Sequence, residues 1–212
     1  MRKVILQQGS DEWKAWRLTR YTASNAAAVM NCNPWFPRNQ KALQKLLTGQ
    51  QEVRENPYMK AGTRDEDMIR SLIESITGHD YPPSCWETEV VVAKDQDYGL
   101  DCYDPDSFVM MLGASLDCFS ESSGIIWDIK RPNKGSQDEY LQKKEIKPHC
   151  HWQLVHQLIC TPAREAGLCY YAHDIGEIVF TETIKRDSEQ FLADKEKLIS
   201  AWKDFDAKMT EF

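Results

Sequence analysis

The chain has 212 residues, and its 42% hydrophobic and 28% charged content is typical of a globular protein with a substantial core. Its formal net charge of −7 excludes a uniformly basic surface that coats nucleic acid without specificity, although local basic patches remain compatible with a nucleic-acid enzyme. No apolar run reaches the length of a membrane-spanning helix, and the short apolar run before Gln7 predicts no signal peptide. Seven cysteines without a C-x-x-C pair predict free thiols in a reducing, cytoplasmic compartment rather than a zinc site.

The first part of the chain is predicted to be rich in helices. A helix capped by Ser10 is followed by an Ala-rich helix over 25–30, which Thr22 or Ser24 caps, and by a short helix over 39–48. Residues 58–77 are predicted to form a long amphipathic helix. Its apolar stripe comprises Met59, Met68, Ile69, Leu72, Ile73 and Ile76.

The rest of the chain alternates strand and helix patterns. Residues 108–116 and 124–130 are predicted to be adjacent strands, joined by a serine-rich hairpin connection over 118–123. Further strands are expected over 86–93, 167–173 and 177–184, and further helices over 148–161 and 187–209. This order predicts an α/β fold, in which a single domain over residues 1–212 has a central mixed β-sheet flanked by helices.

Three charged residues lie close to the strand predicted over 124–130. Asp117 precedes it, and Asp128 and Lys130 fall at its end, on one face because side chains alternate along a strand. Two buried carboxylates repel each other unless a cation pairs with them. Oxygen ligands favour Mg²⁺ or Mn²⁺, and Lys130 would stand near the ion, where it could orient or deprotonate a water. The simpler alternative is an ordinary ion pair between Asp128 and Lys130 at a solvent-exposed strand end.

Four groups of residues, in order along the chain, carry a resemblance to a known family. They are Gln8-Gly9-Ser10 with Trp13, Arg17 and Thr22-Ala23-Ser24; Gly62 with Glu66; Gly113-Ala114-Ser115-Leu116-Asp117 with Asp128-Ile129-Lys130-Arg131-Pro132; and Gln153 with Gln157. Together they resemble the phage lambda exonuclease family, also called the YqaJ-type viral recombinases, within the PD-(D/E)xK nuclease superfamily. The resemblance extends over about residues 8–161 and implies a restriction-endonuclease-like core.

The resemblance implies a catalytic metal site. Asp117 and Asp128 match the two metal-binding acids, and the backbone carbonyl of Ile129 matches a further ligand. Lys130 matches the catalytic lysine. Glu66 matches a helix acid that helps to hold a second ion or positions the attacking water, although its charge-rich surroundings alone favour a solvated side chain. The implied cofactor is one or two Mg²⁺ ions, with Mn²⁺ as the substitute.

The resemblance also implies contacts to DNA. Arg17 and Ser24 match residues that grip the 5′-phosphate of a DNA end, and Ser115 matches a serine near the phosphates. From local sequence alone, Arg17 would be a surface arginine and Ser24 a helix cap. Gln153 matches the first glutamine of the helix after the core motif, and Gln157 is a weaker match.

Three positions depart from the family pattern. Asp128 replaces the usual glutamate, and its shorter side chain still offers two oxygens to a metal. Leu116 stands where proline is common. Val155 occupies the position of a usual second glutamine, so the role is assigned to Gln153 before Gln157.

Two further segments are candidates for DNA contact. The basic segment over 131–147 begins with Arg131, directly after the lysine, and is expected either to contact the DNA backbone or to form a solvated loop. Trp35 and Phe36 lie in a Pro-flanked loop and are candidates for a DNA-facing wedge, with packing in the core as the alternative.

The implied activity is a Mg²⁺-dependent 5′→3′ exonuclease that digests one strand of linear double-stranded DNA from a 5′-phosphorylated end. It would yield mononucleotides and a 3′ overhang for phage-type recombination, with a single-strand annealing protein as partner and a ring-shaped homotrimer as the assembly. A phage or prophage protein in the bacterial cytoplasm is expected. The alternatives are another PD-(D/E)xK nuclease, either an endonuclease or a Cas4-like enzyme, and a non-catalytic module that binds DNA ends. The lack of a four-cysteine cluster disfavours the Cas4-like alternative, and the intact acids and Lys130 disfavour the non-catalytic one.

Overall fold

The computed structural model describes residues 1–34, 43, 57–92 and 108–209. The strands are β1 (Arg2–Val4), β2 (Tyr21–Thr22), β3 (Ser84–Val92), β4 (Phe108–Leu116), β5 (Cys118–Ser120), β6 (Ile125–Lys130), β7 (Glu165–Ala172), β8 (Glu177–Phe180) and β9 (Ile184–Lys185). The helices are α1 (Asp11–Leu18), α2 (Ala26–Val29), α3 (Pro57–Thr77), α4 (Lys134–Lys143), α5 (Pro148–Cys160) and α6 (Glu189–Met209). Trp35, Phe36 and nearly all of the helix predicted over 39–48 lie outside the described residues.

The strands form two mixed sheets. The first has the order β1-β3-β4-β2, in which β2 is parallel to β4 and the other pairs are antiparallel. The second has the order β5-β6-β7-β8, with β9 also paired to β7, and its β6–β7 pair is parallel. A parallel pair needs a long crossover, which α4 and α5 provide. The predicted mixed α/β architecture is confirmed.

Helix α5 lies in the main hydrophobic core, between the sheets and α6. Its residues Leu154, Val155 and Leu158 are completely buried. Two histidines fasten it to α6. His156 accepts a hydrogen bond at Nδ1 from Nε1 of Trp202 at 3.3 Å, and Nε2 of His151 lies 2.8 Å from Oδ2 of Asp194. None of the helices within the described residues combines the length and the apolar character needed to cross a membrane.

The predicted hairpin between 108–116 and 124–130 is wrong. The partner of β6 is β5, with Cys118 opposite Trp127, and β4 belongs to the other sheet. The chain bends at Asp117, so that one nearly continuous extended segment contributes to both sheets. The actual hairpin turn ends at Gly124, whose φ of +70° favours glycine. An alternating pattern identifies strands but carries no signal for which sheet each one joins.

Other local predictions also need correction. Only part of the predicted stripe on α3 is buried. Ile69 and Ile73 are completely buried against the smaller core cluster, whereas Met59, Met68 and Ile76 are exposed.

The segment over 131–147 is not merely a loop, because it contains α4. The Ala-rich helix begins as a 3₁₀ turn over Ala23–Asn25, for which Thr22 supplies no side-chain cap. The predicted cap of α1 is confirmed, since Ser10 accepts from the N–H of Trp13 at 3.1 Å.

Candidate active site

The end of β6 carries two of the predicted residues, and α5 lies against it. The Nζ atom of Lys130 is 2.5 Å from Oδ2 of Asp128. The other oxygen, Oδ1, accepts hydrogen bonds from Nε2 of Gln153 at 2.7 Å and from Nε2 of Gln157 at 2.8 Å. The two glutamines are four residues apart and therefore share one face of α5. Gln153 also accepts a hydrogen bond from Lys130 at 3.2 Å, so α5 contacts both members of the ion pair.

Asp117 occupies the bend between β4 and β5, where two other elements hold it. Its Oδ2 atom accepts a hydrogen bond from the backbone N–H of Ile129 at 3.0 Å, which holds the carboxylate beside the end of β6. Its carbonyl oxygen accepts a hydrogen bond from Nε of Arg70 on α3, also at 3.0 Å. Its side chain is thus attached to β6 and its main chain to α3.

Glu66 approaches the same place from α3. Arg70, one helical turn further along, donates to Glu66 from Nη2 at 3.3 Å. Burial raises the pKa of Glu66, and the positive charge of Arg70 opposes that effect. The negative charges of Asp67 and Asp128 raise the pKa further. Glu66 is therefore close enough to Asp128 for the two carboxylates to repel each other.

The pKa values of Asp117 and Lys130 are strongly perturbed. Burial, together with the nearby carboxylates of Asp128 and Glu66, raises the pKa of Asp117 to about 8. Burial works against the charge of Lys130, but the neighbouring acids, Asp128 foremost, more than offset it and raise its pKa above the ordinary value. Three acids thus share a poorly hydrated space with Lys130 and Arg70.

The chemistry of these groups fits a divalent cation. Within the described residues, Oδ2 of Asp128 is buried and accepts no directed hydrogen bond, although it forms the ion pair with Lys130. Carboxylate oxygens suit Mg²⁺ or Mn²⁺, and a cation would relieve the repulsion between Asp117 and Asp128. Within the described ranges, no group of three or more His, Cys, Asp or Glu side chains has the arrangement of a metal site. Oδ2 of Asp128 contacts Lys130 instead.

A second polar cluster lies on α1 and β4. Nη2 of Arg17 donates to Oγ of Ser24 at 2.7 Å, and the guanidinium lies 4.6 Å from the ring centre of Trp13. Nε1 of Trp13 donates to Oγ of Ser115 at 2.7 Å. Burial lowers the pKa of Arg17, yet an arginine stays charged at neutral pH. Because Ser115 precedes Asp117 by two residues, this cluster adjoins the acids.

A buried glutamate on β3 attaches α1 to the first sheet. Oε2 of Glu87 accepts hydrogen bonds from Nε1 of Trp16 at 2.9 Å and from Nε of Arg20 at 2.6 Å. Oε1 accepts from Nε of Arg2 at 2.8 Å. Opposite Glu87 in β4 lies Gly113, where an added Cβ would come within 3.0 Å of the Trp16 ring. The absence of that Cβ lets α1 lie close to the sheet, which sets the position of Arg17.

The structure thus groups most of the predicted residues, but not all. Asp117, Asp128, Lys130, Glu66, Gln153 and Gln157 form one cluster, and Arg17, Ser24 and Ser115 form the other. Arg131 turns elsewhere, because its Nε atom lies 2.9 Å from Oδ2 of Asp65 and its side chain is mostly buried. In the basic segment, Lys143 and Lys147 both pair with Glu139.

Sequence reasoning gave no role at the site to Arg70 or Trp13. Arg70 binds both Asp117 and Glu66, and Trp13 links Arg17 to Ser115. Each lies four residues from a predicted site residue on the same helix, a spacing that brings side chains together. That spacing predicts the contacts of Arg70 with Glu66 and of Trp13 with Arg17. It does not predict the contacts with Asp117 and Ser115, which lie on other elements.

Comparisons with known proteins show what the chain as a whole is similar to. A profile of the YqaJ-like viral recombinase domain matches residues 12–164. The alkaline exonuclease LHK-Exo from Laribacter hongkongensis superposes with a TM-score of 0.64 and 23% identity over 95% of both chains. The structure of LHK-Exo in complex with dAMP superposes with a TM-score of 0.66 and 26% identity, again over 95% of both chains. A phage-related exonuclease from Haemophilus somnus 129PT superposes with a TM-score of 0.59 and 14% identity over 91% of this chain and 96% of that chain. A comparison with curated protein sequences gives no match. These likenesses confirm the restriction-endonuclease-like core.

Proposed function

The chain belongs to the YqaJ-like viral recombinase family, and on this basis we propose that it is a Mg²⁺-dependent 5′→3′ exonuclease. Its proposed substrate is linear double-stranded DNA with a 5′-phosphorylated end. One strand is released as mononucleotides, which leaves a 3′ overhang for recombination by single-strand annealing. The observation that carries the proposal is the convergence of Asp117, Asp128 and Lys130 at the end of β6.

In this proposal, the carboxylates of Asp117 and Asp128 and the backbone carbonyl of Ile129 hold the ion, and Glu66 serves a second ion or the attacking water. When bound, the cation lowers the pKa of a water and polarises the scissile phosphate. The two hydrogen bonds from Gln153 and Gln157 orient Asp128 by occupying Oδ1, and a bound cation would replace Lys130 at Oδ2.

Lys130 acts in this proposal as a hydrogen-bond donor to the attacking water and to the phosphate oxygens. Its ammonium forms an ion pair with Oδ2 of Asp128 and donates a hydrogen bond to Oε1 of Gln153. An ammonium held in this way stabilises negative charge that develops during the attack.

The second cluster accounts for the proposed direction of digestion. Arg17 offers a charged, planar group for a terminal phosphate, stacked on Trp13 and hydrogen-bonded to Ser24. Ser115, a member of this cluster, precedes Asp117 by two residues. A 5′-phosphate held here would place the first phosphodiester bond near the acids.

One assay tests the activity and its end specificity together. The protein with Mg²⁺ is given linear duplex DNA with a 5′-phosphate, the same duplex with a 5′-hydroxyl, and closed circular DNA. We expect mononucleotides from the phosphorylated duplex, slower digestion of the hydroxyl duplex, and an intact circle. Cleavage of the circle would favour an endonuclease, and equal rates on both linear ends would remove the proposed role of Arg17.

Lys130→Ala tests the catalytic site. We expect this variant to bind DNA ends and to lose nuclease activity, whereas Lys195→Ala, at an exposed position on α6, is the matched control. Full activity of Lys130→Ala would refute the site. Binding of DNA ends without any digestion by the unaltered protein would favour a non-catalytic module.

The wider setting is also proposed from the family. One domain over residues 1–212 would assemble as a homotrimeric ring around duplex DNA in the cytoplasm of a bacterial host and act with a single-strand annealing protein. A ring would keep an acidic protein on DNA, because topology then supplements its limited electrostatic attraction. Trp35 stays a candidate DNA contact, and Arg131 would become one on condition that DNA displaces Asp65 from its guanidinium. Sedimentation with and without duplex DNA tests the assembly.

A further inference from the structure

Arg70 is a largely buried arginine that makes three contacts at the edge of the acid cluster. Its side chain is only 12% exposed. Each guanidinium nitrogen has a different acceptor: Nε donates to the carbonyl of Asp117 at 3.0 Å, Nη2 to Glu66 at 3.3 Å, and Nη1 to Asp67 at 2.6 Å. A planar guanidinium that is mostly buried and bound to acceptors on different elements is fixed in both position and orientation.

Two of these acceptors belong to acids that approach the site from different elements. Asp117 lies at the bend between β4 and β5, and Glu66 lies on α3. Arg70 joins the main chain of the first to the carboxylate of the second, so the separation between them depends on one rigid group. Asp67, the third acceptor, is 94% exposed and contributes little, because solvent screens such a pair.

We propose that Arg70 is a positioning residue that sets the separation of Glu66 and Asp117, so that Glu66 can serve the second ion or the water beside the cation that Asp117 holds. This inference rests on the proposed function. The alternative is that Arg70 acts only through its charge, which would be useful where several carboxylates are crowded together. Arg70→Lys distinguishes the two roles. Lysine keeps the positive charge but lacks the planar group with three separate donor nitrogens.

The test measures Mn²⁺ binding by calorimetry with the intact protein, so that it does not depend on nuclease activity. Arg70→Lys and Arg70→Gln are compared with Arg64→Gln, which removes an exposed arginine from the same helix, and with Asp67→Asn, which removes only the exposed acceptor. We expect both Arg70 variants to weaken Mn²⁺ binding by about 10- to 100-fold, as for groups that orient metal ligands. Both controls should stay within about twofold, since exposed pairs contribute little.

Nuclease assays over a range of Mn²⁺ concentrations provide the second measurement. The Arg70 variants should need more Mn²⁺ for half-maximal activity and retain a lower kcat at saturation, while circular dichroism shows an intact fold for at least Arg70→Lys. Unchanged affinity in Arg70→Lys would refute positioning in favour of charge alone, and tighter binding in Arg70→Gln would show that Arg70 competes with the cation. If the unaltered protein neither binds Mn²⁺ nor digests DNA, the proposed function itself fails, and this inference fails with it.

Discussion

His156 makes the stability of this protein depend on pH in a way that can be worked out from its surroundings. The imidazole is completely buried on α5, and its Nδ1 atom accepts a hydrogen bond from Trp202. Nδ1 is therefore the unprotonated nitrogen, and a second proton would have to enter a space without solvent. Burial lowers the pKa of His156 from 6.5 to about 3.

A depressed histidine pKa destabilises the fold in acid. Above pH 6.5 the imidazole is neutral in both the folded and the unfolded state and contributes nothing to the pH dependence. As the pH falls from 6.5 towards 3, the unfolded chain takes up a proton that the folded protein excludes, so the free energy of unfolding decreases. Each pH unit in this window is worth about 1.4 kcal/mol, which amounts to roughly 2 kcal/mol at pH 5.

Urea unfolding at pH 7 and pH 5 measures this effect. His156→Gln keeps an acceptor for Trp202 but cannot titrate, so the unaltered protein should lose about 2 kcal/mol more than this variant between the two pH values. The variant's stability at pH 7 does not matter, because only the change with pH is compared. His79→Gln, at an exposed position, controls for the replacement itself. Parallel losses in the unaltered protein and His156→Gln would refute the reasoning.

Three further outcomes are expected. Gln157→Leu should reduce turnover by about 10- to 100-fold, measured at saturating Mg²⁺, because Asp128 loses one of the two donors that orient it. Glu87→Gln should reduce the preference for 5′-phosphorylated over 5′-hydroxyl ends by roughly tenfold or more. The reason is that α1 and Arg17 shift when the contacts of Glu87 with Trp16 and Arg20 weaken. An unchanged ratio of the digestion rates on the two ends would contradict this. Mn²⁺ binding at pH 7 should release protons, because the raised pKa keeps Asp117 protonated without the ion. The release, measured by calorimetry in buffers of different ionisation enthalpy, should diminish at pH 9.

The centre of the candidate site was predictable because short-range geometry determines it. Alternation along a strand is enough to place Asp128 and Lys130 on one face, and the four-residue spacing on α5 is enough to place Gln157 beside Gln153. Gln157 ranked below Gln153 only because the match to the family pattern was weaker, and the hydrogen bonds of the two to Asp128 differ by only 0.1 Å in length.

The features that sequence did not predict all depend on contacts between distant segments. The bend at Asp117 assigns β4 and β5 to different sheets, and an alternating pattern looks the same on either side of it. Arg70 and Glu87 look like ordinary charged residues until the fold brings their partners from other elements. Met68 and Ile76 are exposed because α3 contacts its neighbours over a narrow strip. The spacing of apolar residues predicts which face of the helix is buried but not how wide that face is.

Helix α5 has a double attachment with a consequence for how mutations are tolerated. One of its faces holds Asp128 through Gln153 and Gln157, and other side chains, His151 and His156, fasten it to α6. Helix α6 and the carboxylate of Asp128 are therefore connected through the same helix. Substitutions of buried residues of α6 should therefore cause partial loss of function, and selection for activity alone should recover compensating changes along α5.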